Sequence, residues 1–593
     1  MPKSNLEYKG IEDDSTRARL FPTPVENKSG KDGIMPNKQE KIGTKAAEST
    51  TSVNGMLGFR RSEIVKSFGI LASYAAKQPK PLAKHVAKYA GEMIEVARGK
   101  SELAPGRRDR RFKDESWLKN PLYKRAMQSW LAMQQELDGW ITDSRMHPAD
   151  QARAKFVTDL IVDALAPSNA LLTNPTAMKM LVHTKGQSVV KGIQNAYHDL
   201  TKNGGLPSQV DGRPFKVGEN LAISPGAVVF KTEMLEVIQY TPQTDQVYKV
   251  PLMIIPPQIN KFYATDLAPD KSMVRFLTKM GFQVFAVSWR NPTRQHAHWG
   301  LEEYVEALFQ ASDAVRKITR SPRLNVTGAC SGGTTLALFL SELAARGDNR
   351  VNCYTLMVSV LDAKKVDSEV GLFVTDAGIE QARKMSRKKG VLEGEQLGRA
   401  FAWMRPNDLI WNYVVNNYLL GQDPPPFDVL YWNNDTTNLP AQLHSDYLDI
   451  FQDRRFRKDK NVVFMDNIVD LEAVTQDGFM VAGITDHITP WMACYRNIRL
   501  FGGEIDFVLS NSGHLQSLLN PPGNPKARYF ANSDHPPRAT KWLEAAETID
   551  ESWWLRWNKW LSIRSGEMKN APKNLGNKAH PPQSTAPGEY IFT

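Results

Sequence analysis

The sequence predicts an α/β fold, a mostly parallel sheet covered by helices, with a helical N-terminal domain before it and an insertion over one sheet edge. Three observations carry this. Beyond Gly204-Gly205, short β-like runs alternate with helical stretches, as in a parallel sheet flanked by helices. Upstream, apolar residues recur at spacings of three and four, as at Trp117, Leu118, Leu122, Ala126, Trp130, Leu131 and Met133. Between Asp362 and about Asn467 the strand signal thins into helix-like and Pro/Asn-rich stretches.

Residues 1–55 are rich in Lys, Glu, Ser, Thr, Gly and Pro. They hold too few apolar groups to offset the entropy of ordering, and read as a mobile tail. Residues 56–204 form the helical N-terminal domain. Within it Pro167-Ser168-Asn169 interrupts the pattern and is expected to start a new helix, since Asn or Ser caps free amides there. Residues 56–130 hold 17 Lys/Arg against 7 Asp/Glu, so most of the formal charge of +11 sits here. The densest run, Arg107 to Lys113 (RRDRRFK), could attract an anionic partner or simply face water. It lacks Gly-aromatic interleaving and zinc-finger spacing, so sequence-specific nucleic-acid binding is not expected.

Residues 205–593 form the catalytic domain. Its strands are read at Met234–Tyr240, Val250–Ile255, Gln283–Val287, Leu324–Thr327, Tyr354–Val358, Phe479–Ala482 and Ile505–Leu509. Several are continuous apolar runs, as in strands buried on both faces. The insertion, about 363–467, lies over the C-terminal edge of the sheet and reads as a lid. Composition agrees with a globular protein of several domains: 593 residues, 41% hydrophobic and 23% charged. Three cysteines exclude a disulfide framework and favour a reducing compartment. The N-terminus has no apolar signal core and no run approaches 18 apolar residues, so a cytoplasmic location without a membrane span is expected.

The chemistry concentrates at three strand ends. Leu324–Thr327 runs into Gly328-Ala329-Cys330-Ser331-Gly332-Gly333 and then a helix, a G-x-C-x-G turn resembling the nucleophile elbow of α/β-hydrolases. Small neighbours are needed because the turn is sharp and strained. The thiol would point over the sheet edge, the helix amides would favour negative charge at sulfur, and the Ser331 amide would face an oxyanion. A buried structural cysteine in a Gly-rich turn is the plainer alternative. Strand Phe479–Ala482 leads to Asp486 and His487, and strand Ile505–Leu509 leads to His514. The order Cys330, Asp486, His514 is the one this fold uses: His514 deprotonates the thiol, while Asp486 fixes the imidazole or polarises a hydroxyl. His487 is the rival base, or a hydrogen-bonding group of the loop. Ile259, in the loop after Val250–Ile255, is the candidate second oxyanion amide. Trp289 lines a pocket or packs. His296 and His298 have no Cys or acidic partner at ligand spacing, so no metal is expected. Walker and Rossmann motifs are missing, and no cofactor is implied.

With these residues assembled, the chain resembles the poly(3-hydroxyalkanoate) synthases, bacterial polymerases of storage polyester. The resemblance rests on GACSGG at 328–333, PPQINKFY at 256–263, SWRNP at 288–292, YWNNDTTNLP at 431–440, DHITPW at 486–491 and SGHLQSLLNPPG at 512–523, with LLTNP at 171–175 and W-x-x-NPLY at 117–123. It implies an acyltransferase of the α/β-hydrolase fold in which Cys330, Asp486 and His514 polymerise (R)-3-hydroxyacyl-CoA and release CoA. It also implies a polyester granule in the cytoplasm, a homodimer and phasin-type partners. Val358-Ser359-Val360-Leu361-Asp362 and Gln516 are similar to the single-subunit medium-chain-length (class II) group, which places Ser359 and Gln516 at the side-chain pocket; Ser359 is otherwise simply a strand end. Two other functions compete: a thioesterase or lactone hydrolase using the same triad with water, and a non-catalytic granule protein indifferent to loss of Cys330.

Overall fold

A computed structural model describes residues 61–593, apart from 107–108, 365–375, 454–455, 457–458 and 460. The expected tail, 1–55, lies outside the described residues, as do Arg107 and Arg108. The central sheet is built from β1 (Gly226–Lys231), β2 (Leu235–Tyr240), β3 (Leu252–Ile255), β4 (Val284–Trp289), β5 (Leu324–Ala329), β6 (Val351–Met357), β7 (Asp477–Gly483), β8 (Ile505–Ser510), β9 (Tyr529–Ala531), β10 (Glu547–Ile549) and β11 (Ser584–Thr585). Their spatial order is β10-β9-β8-β7-β6-β5-β3-β4-β2-β1-β11. The six from β8 to β4 are parallel, and the outer strands are antiparallel. Every strand read from the sequence is present.

The continuous apolar runs follow from coverage of both sheet faces. Side chains alternate along a strand. Met253 and Ile255 of β3 therefore join the cluster on one face, and Leu252 and Ile254 join the one on the other. A polar residue at any of these positions would be buried without a partner. Helix Trp553–Ile563, whose first turn is capped by the Ser552 hydroxyl at the amide of Trp554, covers the second face with the fully buried Trp553, Trp554 and Trp557.

The longer N-terminal helices are Arg61–Lys77, Pro79–Arg98, Pro121–Asp143, Pro148–Ala164, Pro175–His183 and Gln187–Lys202. Four of them begin with proline, whose missing N–H costs nothing in the first turn. The helix expected at Pro167–Asn169 is a single 3-10 turn there, and the next α-helix starts at Pro175. Asn169 donates to the carbonyl of Asp163 at 2.7 Å and so closes the preceding helix, while Asn174 caps the new one at Ala177. No helix among the described residues is long and apolar enough to cross a membrane.

Between β6 and β7 the chain leaves the sheet. It forms helices Asp376–Lys389, Gly394–Met404, Asp428–Asn434 and Ala441–Asp453, with two wide π-helical turns at Asn407–Trp411 and Val414–Leu419. This insertion is tied to the loop after β3: Thr437 N–H donates to the Ile259 carbonyl at 3.1 Å, and Trp432 Nε1 to that of Lys261 at 2.8 Å. On its other side it meets helix Gln187–Lys202. The backbones touch there, since a Cβ on Gly192 would stand 1.9 Å from the Tyr418 carbonyl oxygen. The Tyr418 hydroxyl donates to Asp199 at 2.9 Å.

Candidate active site

β5 ends at Ala329 and helix Ser331–Ala345 begins two residues later, so the chain reverses within Cys330. The residue has φ 51° and ψ −121°, a region costly for any side chain with a Cβ. The surroundings hold it there: Cys330 N–H donates to Met357 O at 2.9 Å, and Gly333 N–H donates back to Cys330 O at 3.0 Å. So tight a bend explains the flanking glycines. A Cβ on Gly332 would lie 2.5 Å from the Ile255 carbonyl oxygen, and one on Gly333 2.0 Å from Ser359 Oγ. Of the three free cysteines Cys330 is half-buried, whereas Cys353 and Cys494 are buried and burial pushes their thiols up.

His514 opens the short helix after β8 and meets both partners. Its Nδ1 stands 2.7 Å from Asp486 Oδ2, and Cys330 lies near enough to the ring to favour its charged form. Asp486 is almost fully satisfied. Its Oδ1 accepts the amides of Ile488 and Thr489, each at 2.9 Å, and its Oδ2 accepts the Thr489 hydroxyl at 2.6 Å. Burial opposes ionisation of Asp486, but the charge and hydrogen bond of His514 outweigh it and hold the carboxyl below its usual range. Burial likewise disfavours charge on His514, yet the negative partners Asp486 and Cys330 raise its pKa well above the ordinary value. The arrangement favours a proton on the imidazole between Asp486 and Cys330.

His487 behaves in the opposite way. Burial, reinforced by repulsion from Arg405, pushes its pKa down to about 4, and its buried Nδ1 has no hydrogen-bond partner among the described residues. It lines the same cavity as a neutral ring, poorly suited to taking a proton near neutrality. Its folded pKa lies below 6.5, so the unfolded chain binds the proton more readily. The stability contributed by the neutral ring is complete above pH 6.5 and lost as pH falls towards about 4, by up to about 3 kcal/mol. His487→Gln should therefore flatten the fall of the melting temperature over this window; an unchanged slope would contradict the burial argument.

A cavity of about 1140 Å³ opens above the triad, lined by Cys330, His514, His487, Ile259 and Gln516, by Phe401, Trp411 and Phe427 of the insertion, and by residues of the N-terminal domain. Two pocket candidates stand outside this wall. Trp289 is buried behind the loop after β3, its Nε1 donating to Pro256 O at 2.9 Å and its ring edge-on to Tyr304. Ser359 lies beneath the elbow, donating to Cys330 O at 3.1 Å and Met357 O at 2.9 Å. Both support backbone that carries site groups. His296 is stacked on Trp299 with ring centroids 4.1 Å apart, and among the described residues no group of His, Cys, Asp or Glu could hold a metal ion.

Sequence reasoning missed Gln258. Its amide donates to Ser331 Oγ at 3.2 Å, its Nε2 donates to Thr335 Oγ1 at 2.9 Å, and its Oε1 accepts the Tyr447 hydroxyl at 2.9 Å. Its carbonyl accepts the Thr437 hydroxyl at 2.6 Å. One buried residue, through its backbone and its side chain, thus fixes the loop carrying Ile259 against the helix that starts at Ser331 and against the insertion. Thr489 was missed in the same way: it supports the Asp486–His514 pair through its hydroxyl.

The parallel sheet, the strained elbow and an ordered Cys-Asp-His constellation define a protein of the α/β-hydrolase class. Residues 251–521 match the family described as alpha/beta hydrolase fold, and residues 108–277 match the poly-beta-hydroxybutyrate polymerase (PhaC) N-terminus. The chain is 48% identical to poly(3-hydroxyalkanoate) polymerase 1 of Ectopseudomonas oleovorans over 94% of its own length and all of that protein. It is 46% identical to polymerase 2 of the same organism over 93% of this chain and 98% of that one. Against the polymerase subunit PhaC of Cupriavidus necator identity is 36%, over 84% of this chain and 85% of that one. The chain belongs to the poly(3-hydroxyalkanoate) polymerase family, and is an acyltransferase whose likeness to the two Ectopseudomonas proteins fits the medium-chain-length group.

Proposed function

We propose that this enzyme grows a polyhydroxyalkanoate chain from (R)-3-hydroxyacyl-CoA through a thioester on Cys330. The observation that carries the reading is Cys330 and His514 lining one cavity beneath the insertion, with His514 Nδ1 held 2.7 Å from Asp486. Cys330 Sγ attacks the thioester carbonyl, its proton passing to His514. The C–S bond to CoA breaks, and the CoA thiolate takes that proton and leaves as the thiol. The 3-hydroxyl of the next monomer, deprotonated by His514, then attacks the acyl-cysteine, the sulfur is reprotonated, and the lengthened chain, now a CoA thioester, is taken back onto Cys330 by the first step. Each cycle consumes one monomer and releases one CoA.

Sulfur suits this exchange because one thioester replaces another at nearly equal energy, leaving an acyl group reactive enough for an alcohol. The oxyanion would be met by the amide of Ser331, at the helix N-terminus where amides lack intrahelical partners, and by that of Ile259. Gln516 and His487 would contact the monomer, and the insertion would act as a lid that keeps water from the intermediate. Granule association, a homodimer and phasin-type partners belong to the same reading.

The discriminating experiment supplies (R)-3-hydroxyacyl-CoA and follows both products. High-mass polyester with one CoA released per monomer is expected. Free hydroxy acid as the sole acyl product would make the protein a thiol hydrolase instead.

A further inference from the structure

The basic run at the N-terminal domain has no part in the chemistry above, yet it reaches the same cavity. Asp109, Arg110, Arg111, Lys113 and Asp114 line it together with Cys330 and His514. At about 1140 Å³ the cavity exceeds the roughly 300–1,000 Å³ of an ordinary small-molecule site. It has room for more than an acyl group.

The charges along this wall are unequally satisfied. Arg111 is fully engaged: Nη2 stands 2.8 Å from Asp109, Nη1 stands 2.9 Å from Asp163, and the guanidinium lies 4.7 Å from the Trp130 ring centre. The adjoining Phe112 is buried against Trp117 and Trp130, so the turn Arg110–Phe112 is anchored to its domain. Asp114 is occupied by Lys179 at 2.6 Å, and Arg405 faces Asp408 at 3.6 Å. Arg110 and Lys113, flanking the anchored Arg111, have no carboxylate partner among the described residues, and both are exposed. Two cations are thus held on a fixed turn at the cavity wall without counter-charge. Such groups raise the local concentration of anions and are well matched to phosphate oxygens.

We propose that Arg110 and Lys113 bind the phosphate groups of the acyl-CoA whose thioester is presented to Cys330. The inference rests on the reading of Cys330 as the acyl acceptor, and it gives the N-terminal domain a place in substrate capture. The acyl group lies at Cys330, the pantetheine arm occupies the shared cavity, and the nucleotide phosphates meet the basic turn. The phosphates do not react, so their attraction acts on binding more than on the chemical step.

The test compares wild type with Arg110→Gln/Lys113→Gln on two substrates carrying the same (R)-3-hydroxyacyl group. One is the CoA thioester; the other is the N-acetylcysteamine thioester, which has no phosphate. The double variant should raise KM for the CoA substrate by about tenfold or more, change kcat by less than about twofold, and leave the truncated substrate unaffected. An unchanged KM for the CoA substrate, or equal losses on both, would overturn the assignment. Calorimetric titration of CoA into Cys330→Ala protein gives a second readout independent of turnover. Affinity should fall about tenfold when the two cations are removed, and should fall with added salt in the parent. Equal affinity with and without them would also overturn it. Failure of the triad itself would appear separately, as turnover persisting in Cys330→Ala.

Discussion

Cys330→Ser should fold as the parent does and lose at least about three orders of magnitude in CoA release. The fold has little stake in the sulfur. The groups that hold the elbow are the backbone N–H and C=O of Cys330, bonded to Met357 and Gly333, and the slightly smaller serine side chain fits the same space. Chemistry has a large stake in it. A hydroxyl is far harder to ionise than a thiol, and the ester it would form is much less reactive toward the next hydroxyl than a thioester. The loss should appear in kcat under saturating substrate, with the thermal midpoint unchanged. Full turnover by the variant would argue against thiol chemistry.

Asp486→Asn should cost about 10⁴-fold in kcat with little change in KM. The present carboxylate accepts two backbone amides on Oδ1, while Oδ2 takes the Thr489 hydroxyl and stands 2.7 Å from His514 Nδ1. An asparagine would keep its oxygen toward the two amides and turn its NH₂ toward the ring. Nδ1 would then have to accept, the remaining proton would move to Nε2, and the ring would have no lone pair for the thiol. The imidazolium would also lose the negative charge that most favours it against burial. Near-parental kcat in this variant would mean that Asp486 does not orient the base.

Much of this site was legible because the fold imposes local demands that leave local traces. The elbow needs small residues around Cys330, and the triad partners must follow strand ends. Both demands appear as short motifs next to apolar runs, so β3 to β8 could be read within a few residues of their observed ends. β1 was missed although its interior is apolar, because Gly226-Ala227 follow a proline and the register slips between Val228 and Phe230. The short outer strands Tyr529–Ala531, Glu547–Ile549 and Ser584–Thr585 carry too few residues for any periodicity.

Long-range contacts left no such trace. Gln258 joins residues 73 to 189 positions away, and nothing in a proline-led loop identifies it as the residue holding the others. Ser359 and Trp289 sit at the correct sheet edge but on its supporting side, a distinction of depth that one-dimensional pattern cannot make. The N-terminal basic run could be seen as charge, but its meeting with the cavity of Cys330 depends on how the helical domain folds over the insertion.

The central claim is that the acyl chain rides on Cys330 between CoA release and ester formation. Mass analysis of the peptide containing Cys330, after rapid mixing of the enzyme with (R)-3-hydroxyacyl-CoA and an acid quench, tests this most directly. The account predicts a hydroxyacyl mass on that cysteine alone, appearing as fast as CoA is released and longer by one monomer with each turn. CoA release with Cys330 unmodified, or the same release from Cys330→Ala, would contradict it.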